Sequence, residues 1–147
     1  MPSQSLINKS FSKARNACLK STFKRQHIGA VLVYGGKVIA EGYNTQKTLP
    51  LQKLYNRERF QEEDSPNNGT CHAEMMILQK TKYLDIDWSK ALLFVYREHK
   101  ITHQPMLAKP CAACEKALAD RGIHKIYYTT NQYPYNFMNL RKGNENG

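Results

Sequence analysis

Two short segments restrict this chain more than anything else in it: Cys71-His72-Ala73-Glu74 and Pro110-Cys111-Ala112-Ala113-Cys114. Each opens a helical pattern. His72–Lys82 carries Ala73, Met76, Ile77 and Lys80 on one side, and Cys111–Arg121 is followed by Gly122 in the usual C-terminal position. Cys111 and Cys114 stand three apart across a first turn, so both sulfurs can be aimed at one point, and His72 adds an imidazole. A helix N-terminus and a bound cation both favour the thiolate that a zinc site requires. Three protein ligands leave the fourth corner of a tetrahedral zinc for water, which marks a catalytic site rather than a structural one. Whatever the fold, it has to bring two distant helix starts together.

Blander readings exist for each part. C-x-x-C alone also serves redox and structural zinc sites, and H-x-E arises by chance in helices. A structural zinc would more often show four protein ligands and would have no use for Glu74. Cys71 reads as a buried inert thiol, since adjacent residues seldom both point at one metal from a helix start. His99 and His103 fall in a polar stretch without a Glu at helical spacing and read as solvated side chains rather than a second metal site. His27 and His124 carry no usable signal.

The rest of the chain is organised simply. Its 147 residues suit one domain, 1–147, with enough length to bury a core without covalent staples. Ile7, Phe11, Ala14 and Cys18 form the apolar stripe of an amphipathic helix. Ile28–Tyr34 and Lys37–Tyr43 read as strands joined by Gly35-Gly36 in a tight turn that needs positive φ at both positions. The first of them is apolar enough to be buried on both faces. Residues 44–70 read as a long surface loop with a short helix around Leu51–Phe60. Ala91–Tyr96 is a buried strand, 97–109 a polar loop, and Lys125–Thr130 a final strand. Strand, helix, strand at that spacing implies a parallel crossover. The tail from Asn131, rich in Tyr and Phe, admits a short helix.

Charge and targeting set further bounds. Lys and Arg number 22 against 12 Asp and Glu, a net charge of +10, and no acidic residue precedes Glu41. Such a balance favours an anionic partner without choosing one. No apolar run approaches the roughly 18 residues of a membrane span. The opening Met1-Pro2-Ser3-Gln4-Ser5 does not resemble a secretory leader, so cytoplasmic is the expected compartment and metal or redox chemistry the expected use of the cysteines.

H-x-E followed by P-C-x-x-C is the pattern of zinc-dependent nucleobase deaminases. On those residues the chain resembles the cytidine/deoxycytidylate deaminase superfamily from roughly Ser21 to Thr130. Ser21-Thr22-Phe23-Lys24-Arg25, Gly29-Ala30-Val31-Leu32-Val33 and Glu41-Gly42-Tyr43-Asn44 are similar to the entry of deoxycytidylate and tRNA adenosine deaminases. The resemblance implies an α/β fold, a three-layer α-β-α sandwich around a mixed sheet of about five strands, the later ones parallel. It implies Zn²⁺ held by His72, Cys111 and Cys114, with Glu74 carrying protons from water to the ring nitrogen and the departing amine. It further implies backbone contacts to the base from Ala73 and Cys111, a sugar or base contact from Asn44, and a homo-oligomer.

The substrate is expected to be a free pyrimidine (deoxy)nucleotide such as dCMP. The stretch Ser21–Asn44 and the long insert before Cys71 look more like a deoxycytidylate-type enzyme than a compact tRNA deaminase. Arg25 is the candidate phosphate partner because a guanidinium grips phosphate bidentately; Lys24 and Lys47 lie near it in sequence. Met76 departs from this assignment, standing where deoxycytidylate enzymes commonly carry Asn, and the insert lacks the extra Cys and His of a second zinc site. The alternative is a cytosine or adenine in single-stranded DNA or RNA, including tRNA. It is motivated by the charge and by Tyr133-Pro134-Tyr135-Asn136-Phe137 ahead of Arg141-Lys142. A zinc fold retained only for binding is the third class, and the intact Glu74 speaks against it.

Overall fold

A computed structural model describes residues 2–22, 27–45, 54, 72–99, 101–132 and 134–140. Among these, six strands form one mixed sheet, β1 (His27–Tyr34), β2 (Lys37–Tyr43), β3 (Leu92–Glu98), β4 (Pro105–Met106), β5 (Lys125–Tyr128) and β6 (Asn136–Asn139). Their order is β2-β1-β3-β5-β6, with β4 on β3. Three helices, α1 (Gln4–Cys18), α2 (Ala73–Lys80) and α3 (Ala112–Arg121), complete the layers.

Strand alternation decides which helix lies where. Val31, Val33, Phe94 and Tyr127 share one face and pack against Ile7 and Ala14 of α1. Ala30, Leu32, Leu93, Val95 and Ile126 share the other and pack against Ala73, Ile77 and Leu78 of α2 and Cys114, Ala117 and Leu118 of α3. This is the α-β-α sandwich the family resemblance implies. β1 is buried on both faces, which is why its sequence is nearly continuous apolar residue. Gly35 and Gly36 turn the β1–β2 hairpin at φ 59° and 79°, as the Gly-Gly pair requires.

The sheet has six strands, five of them in the main order, in keeping with the expected mixed sheet of about five. Two expectations need correction. Among the later strands only β3 and β5 run parallel. β1, β4 and β6 all pair antiparallel with their neighbours. Residues 136–139 of the tail form β6, completing the open edge of β5. The stretch 97–109 is not wholly a loop: β3 runs on through Glu98, and Pro105–Met106 pairs back onto it. The short helix expected around Leu51–Phe60 and the insert lie outside the described residues.

Glu98 explains why that strand was hidden. Its side chain is fully buried on the α1 face, where Arg15 Nε donates to Oε1 at 3.3 Å and His103 Nδ1 to Oε2 at 2.5 Å. His103 is thus tied to a carboxylate, not merely solvated, and takes a left-handed φ of 60° to reach it. Burial pushes the Glu98 carboxyl up, but hydrogen bonds from His103, Arg15 and Tyr96 outweigh it and hold the group below the ordinary 4.5. A folded-state value below the unfolded one contributes stability above the ordinary carboxylate range, lost as pH falls through the folded value. Urea unfolding from about pH 6 down to about pH 3 should therefore show a fall that Glu98→Gln flattens. An unchanged slope in the variant would refute the linkage.

Candidate active site

The starts of α2 and α3 meet on the inner face of the sheet, each opened by a residue poor at capping. His72 is the N-cap of α2 and Cys111 that of α3, and neither side chain caps its own helix. Ser, Thr, Asp or Asn at an N-cap is worth about 1 kcal/mol. Here two helix starts forgo that stabilisation, and their side chains face one another instead. His72 Nδ1 lies 3.3 Å from Cys114 Sγ and 3.5 Å from Cys111 Sγ. One ligand atom from each of the three residues falls within 4.8 Å of the others.

That spacing can be tested against the metal. With Zn–N of about 2.0–2.1 Å and Zn–S of about 2.3 Å, a tetrahedral ion holds nitrogen and sulfur roughly 3.5 Å apart. The observed separations match, and the donor set fits zinc. Protonation agrees: hydrogen bonding from Cys114 and the partner His72 pull the Cys111 thiol down to about 4, against the resistance of burial. Cys18, the last residue of α1, is pushed up to about 12 by burial and by the nearby Glu98 charge, and stays an inert thiol.

Glu74 stands in the first turn of α2 at 5% exposure. Burial raises its carboxyl above the ordinary range, opposed by the charge of His72 and a hydrogen bond with Cys114. A carboxylate that resists ionisation beside a cation site suits a group that takes up and releases a proton.

Of the other residues singled out in the sequence, Ala73 is buried at the start of α2 and Asn44 is buried just beyond β2. Asn44 Oδ1 accepts from Ile28 N at 2.9 Å and from Ser21 Oγ at 2.5 Å, so the side chain is fixed to β1. Arg25, Lys24, Lys47 and Cys71 lie outside the described residues. Tyr135 and Phe137 of the tail pack around Tyr127, and Tyr135 also meets Phe11, so both close the aromatic edge of the α1-side core. Tyr133, Arg141 and Lys142 are outside the described residues.

Sequence reading passed over two residues that bear on this geometry. Gly42, two residues before Asn44, faces the α2 start so closely that a Cβ there would stand 2.2 Å from the Ala73 carbonyl oxygen. The stretch Glu41-Gly42-Tyr43-Asn44 carries the family resemblance, but only the packing explains the glycine. Arg121, at the far end of α3, donates to the carbonyls of Leu78 (3.1 Å) and Thr81 (3.4 Å) and stacks over Trp88, tying the two site helices together.

Comparison with known proteins agrees with this geometry. The profile of the cytidine and deoxycytidylate deaminase zinc-binding region matches residues 4–130. The chain belongs to this deaminase family. It is accordingly a zinc-type hydrolytic deaminase. Among curated proteins none matches. Solved structures share the fold. The dCMP deaminase of cyanophage S-TIM5 in complex with dCMP and dUMP is 23% identical with a TM-score of 0.60, covering 87% of this chain and 83% of that one. The same phage enzyme in apo form is 25% identical at 0.59, covering 86% and 84%. Cytidine deaminase from Burkholderia pseudomallei is 18% identical at 0.62, covering 97% and 95%. No helix among the described residues of this deaminase is long and apolar enough to cross a membrane.

Proposed function

We propose that this deaminase converts the cytosine of a free pyrimidine (deoxy)nucleotide such as dCMP to uracil, with zinc held by His72, Cys111 and Cys114. The convergence of one imidazole and two sulfurs beside the buried Glu74 is the observation that carries this reading. Zinc, when bound, supplies a water acidified to a pKa of about 7. Glu74 takes a proton from that water on its carboxylate and passes protons to the ring nitrogen and the leaving amine, so that water and cytosine yield uracil and ammonia. The backbone at Ala73 and Cys111 lines the base. Asn44, immobilised by Ile28 and Ser21, orients the sugar. Arg25 is the phosphate partner.

A free nucleotide is supported by the neighbouring phage fold that binds dCMP and dUMP. The protein works in solution as a homo-oligomer in the cytoplasm. The deciding experiment incubates zinc-loaded protein with cytidine, deoxycytidine, their monophosphates and single-stranded oligonucleotides, and follows ammonia release. Preference for a monophosphate by about tenfold or more in kcat/KM over its nucleoside is expected from one charge-assisted phosphate contact. Exclusive turnover of oligonucleotides overturns the nucleotide reading.

A further inference from the structure

We propose that a groove between α1 and the β1–β2 turn binds a phosphate group, independently of the metal site on the opposite face of the sheet. The groove has a volume of about 270 Å³. Lys9 and Lys13, one turn apart on α1, and Lys37, at the start of β2, converge on it, and Leu6 and Val38 give it apolar walls.

Two observations indicate an anion. The three ammonium groups make no ion pair or hydrogen bond among the described residues. No acidic residue occurs on α1 or in the turn, and Glu41, the first in the sequence, is taken by Lys20. Among the described residues positive charge is thus gathered in one place with no carboxylate paired to it. The second observation is Ser10. It lines the groove, its side chain is 1% exposed, and its Oγ has no hydrogen-bond partner. A buried hydroxyl left unsatisfied is costly, and a turn of the Ser10 side chain toward the groove would relieve that cost by letting it donate to a ligand oxygen.

The dimensions narrow the ligand class. Pockets that enclose a whole drug-sized molecule run from about 300 to 1,000 Å³. This one takes a tetrahedral oxyanion and leaves the remainder of its carrier outside. A phosphate offers several acceptor oxygens, enough for three ammonium groups and a hydroxyl together. Apolar walls lower the local dielectric and strengthen each contact. The shared chemistry is the phosphate group, carried either by a small molecule or by a single-stranded nucleic-acid backbone.

The zinc-loaded full chain is titrated with inorganic phosphate and, separately, with a short oligothymidylate, following backbone amide shifts by NMR. Saturable shifts at Lys13, Gly36 and Val38 are expected, with binding weakened about tenfold or more in the Lys9→Glu/Lys13→Glu double variant. Ser10→Ala reports the hydroxyl, and circular dichroism checks that each variant is folded. Loss of phosphate binding in the double variant supports the site and identifies a small-molecule carrier. Loss confined to the oligonucleotide supports it with a nucleic-acid carrier. Absence of saturable binding by either probe, or binding that the double variant leaves intact, overturns the proposal. Because the readout is binding, failure here leaves the deamination reading untouched.

Discussion

Replacing Glu74 with alanine is expected to leave zinc content unchanged and to cut kcat by roughly 10²- to 10⁴-fold, the usual worth of general acid–base catalysis. The reason lies in where the carboxylate sits. It occupies the first turn of α2, is buried to 5% exposure, and feels His72 and both cysteines without belonging to the His/Cys/Cys group itself. Removing it takes away a proton carrier and leaves three metal donors in place. Glu74→Gln, which keeps size and hydrogen-bonding capacity, should be impaired as severely, because the amide cannot carry the proton. Metal analysis and steady-state kinetics on the two variants check this. Near-normal turnover in either would remove Glu74 from the chemistry, whereas loss of zinc in both would recast it as a structural support.

Gly42→Ala should lower stability and disturb the metal site together. The added carbon would stand 2.2 Å from the Ala73 carbonyl oxygen, a backbone atom that cannot swing away. Relief requires the start of α2 to move off the sheet, which carries His72 and Glu74 out of register with Cys111 and Cys114. Overpacking of this kind costs typically 1–3 kcal/mol, and active-site displacement adds its own penalty in rate. Gly29→Ala is the matched control. A Cβ at Gly29 would meet the Ala14 carbonyl oxygen and the Cys18 nitrogen, both at 2.2 Å, so it strains α1 on the opposite face. Both variants should melt at lower temperature, and only Gly42→Ala should also weaken zinc affinity in the folded protein. Equal zinc affinity in the two would show that close approach at Gly42 does not set the site.

Much of this architecture was legible because its signals are local. The Gly35-Gly36 pair names a turn by its backbone needs, Gly122 ends α3 with a φ of 102°, and the donors of the His/Cys/Cys group sit at spacings that few other uses demand. What escaped depended on distant partners. Arg97 and Glu98 read as polar loop, yet they continue β3 because Arg15 and His103 come from elsewhere to satisfy the Glu98 carboxylate. Asn136–Asn139 has no strand pattern of its own and is extended because β5 offers it an edge. Two residues of β4 are too few for any periodicity to register. Gly42 read as one more position of the strand Lys37–Tyr43, since nothing in the sequence says which helix will press upon it.

The forgone caps at His72 and Cys111 carry one more consequence. Two helices begin with about 1 kcal/mol each withheld from their termini, and the ion supplies the missing cross-link between them. Whatever binds only the native form raises its population by mass action. Cellular zinc supply would then govern how much of the chain survives proteolysis as well as how fast each copy turns over, and starvation for the metal would deplete the protein itself.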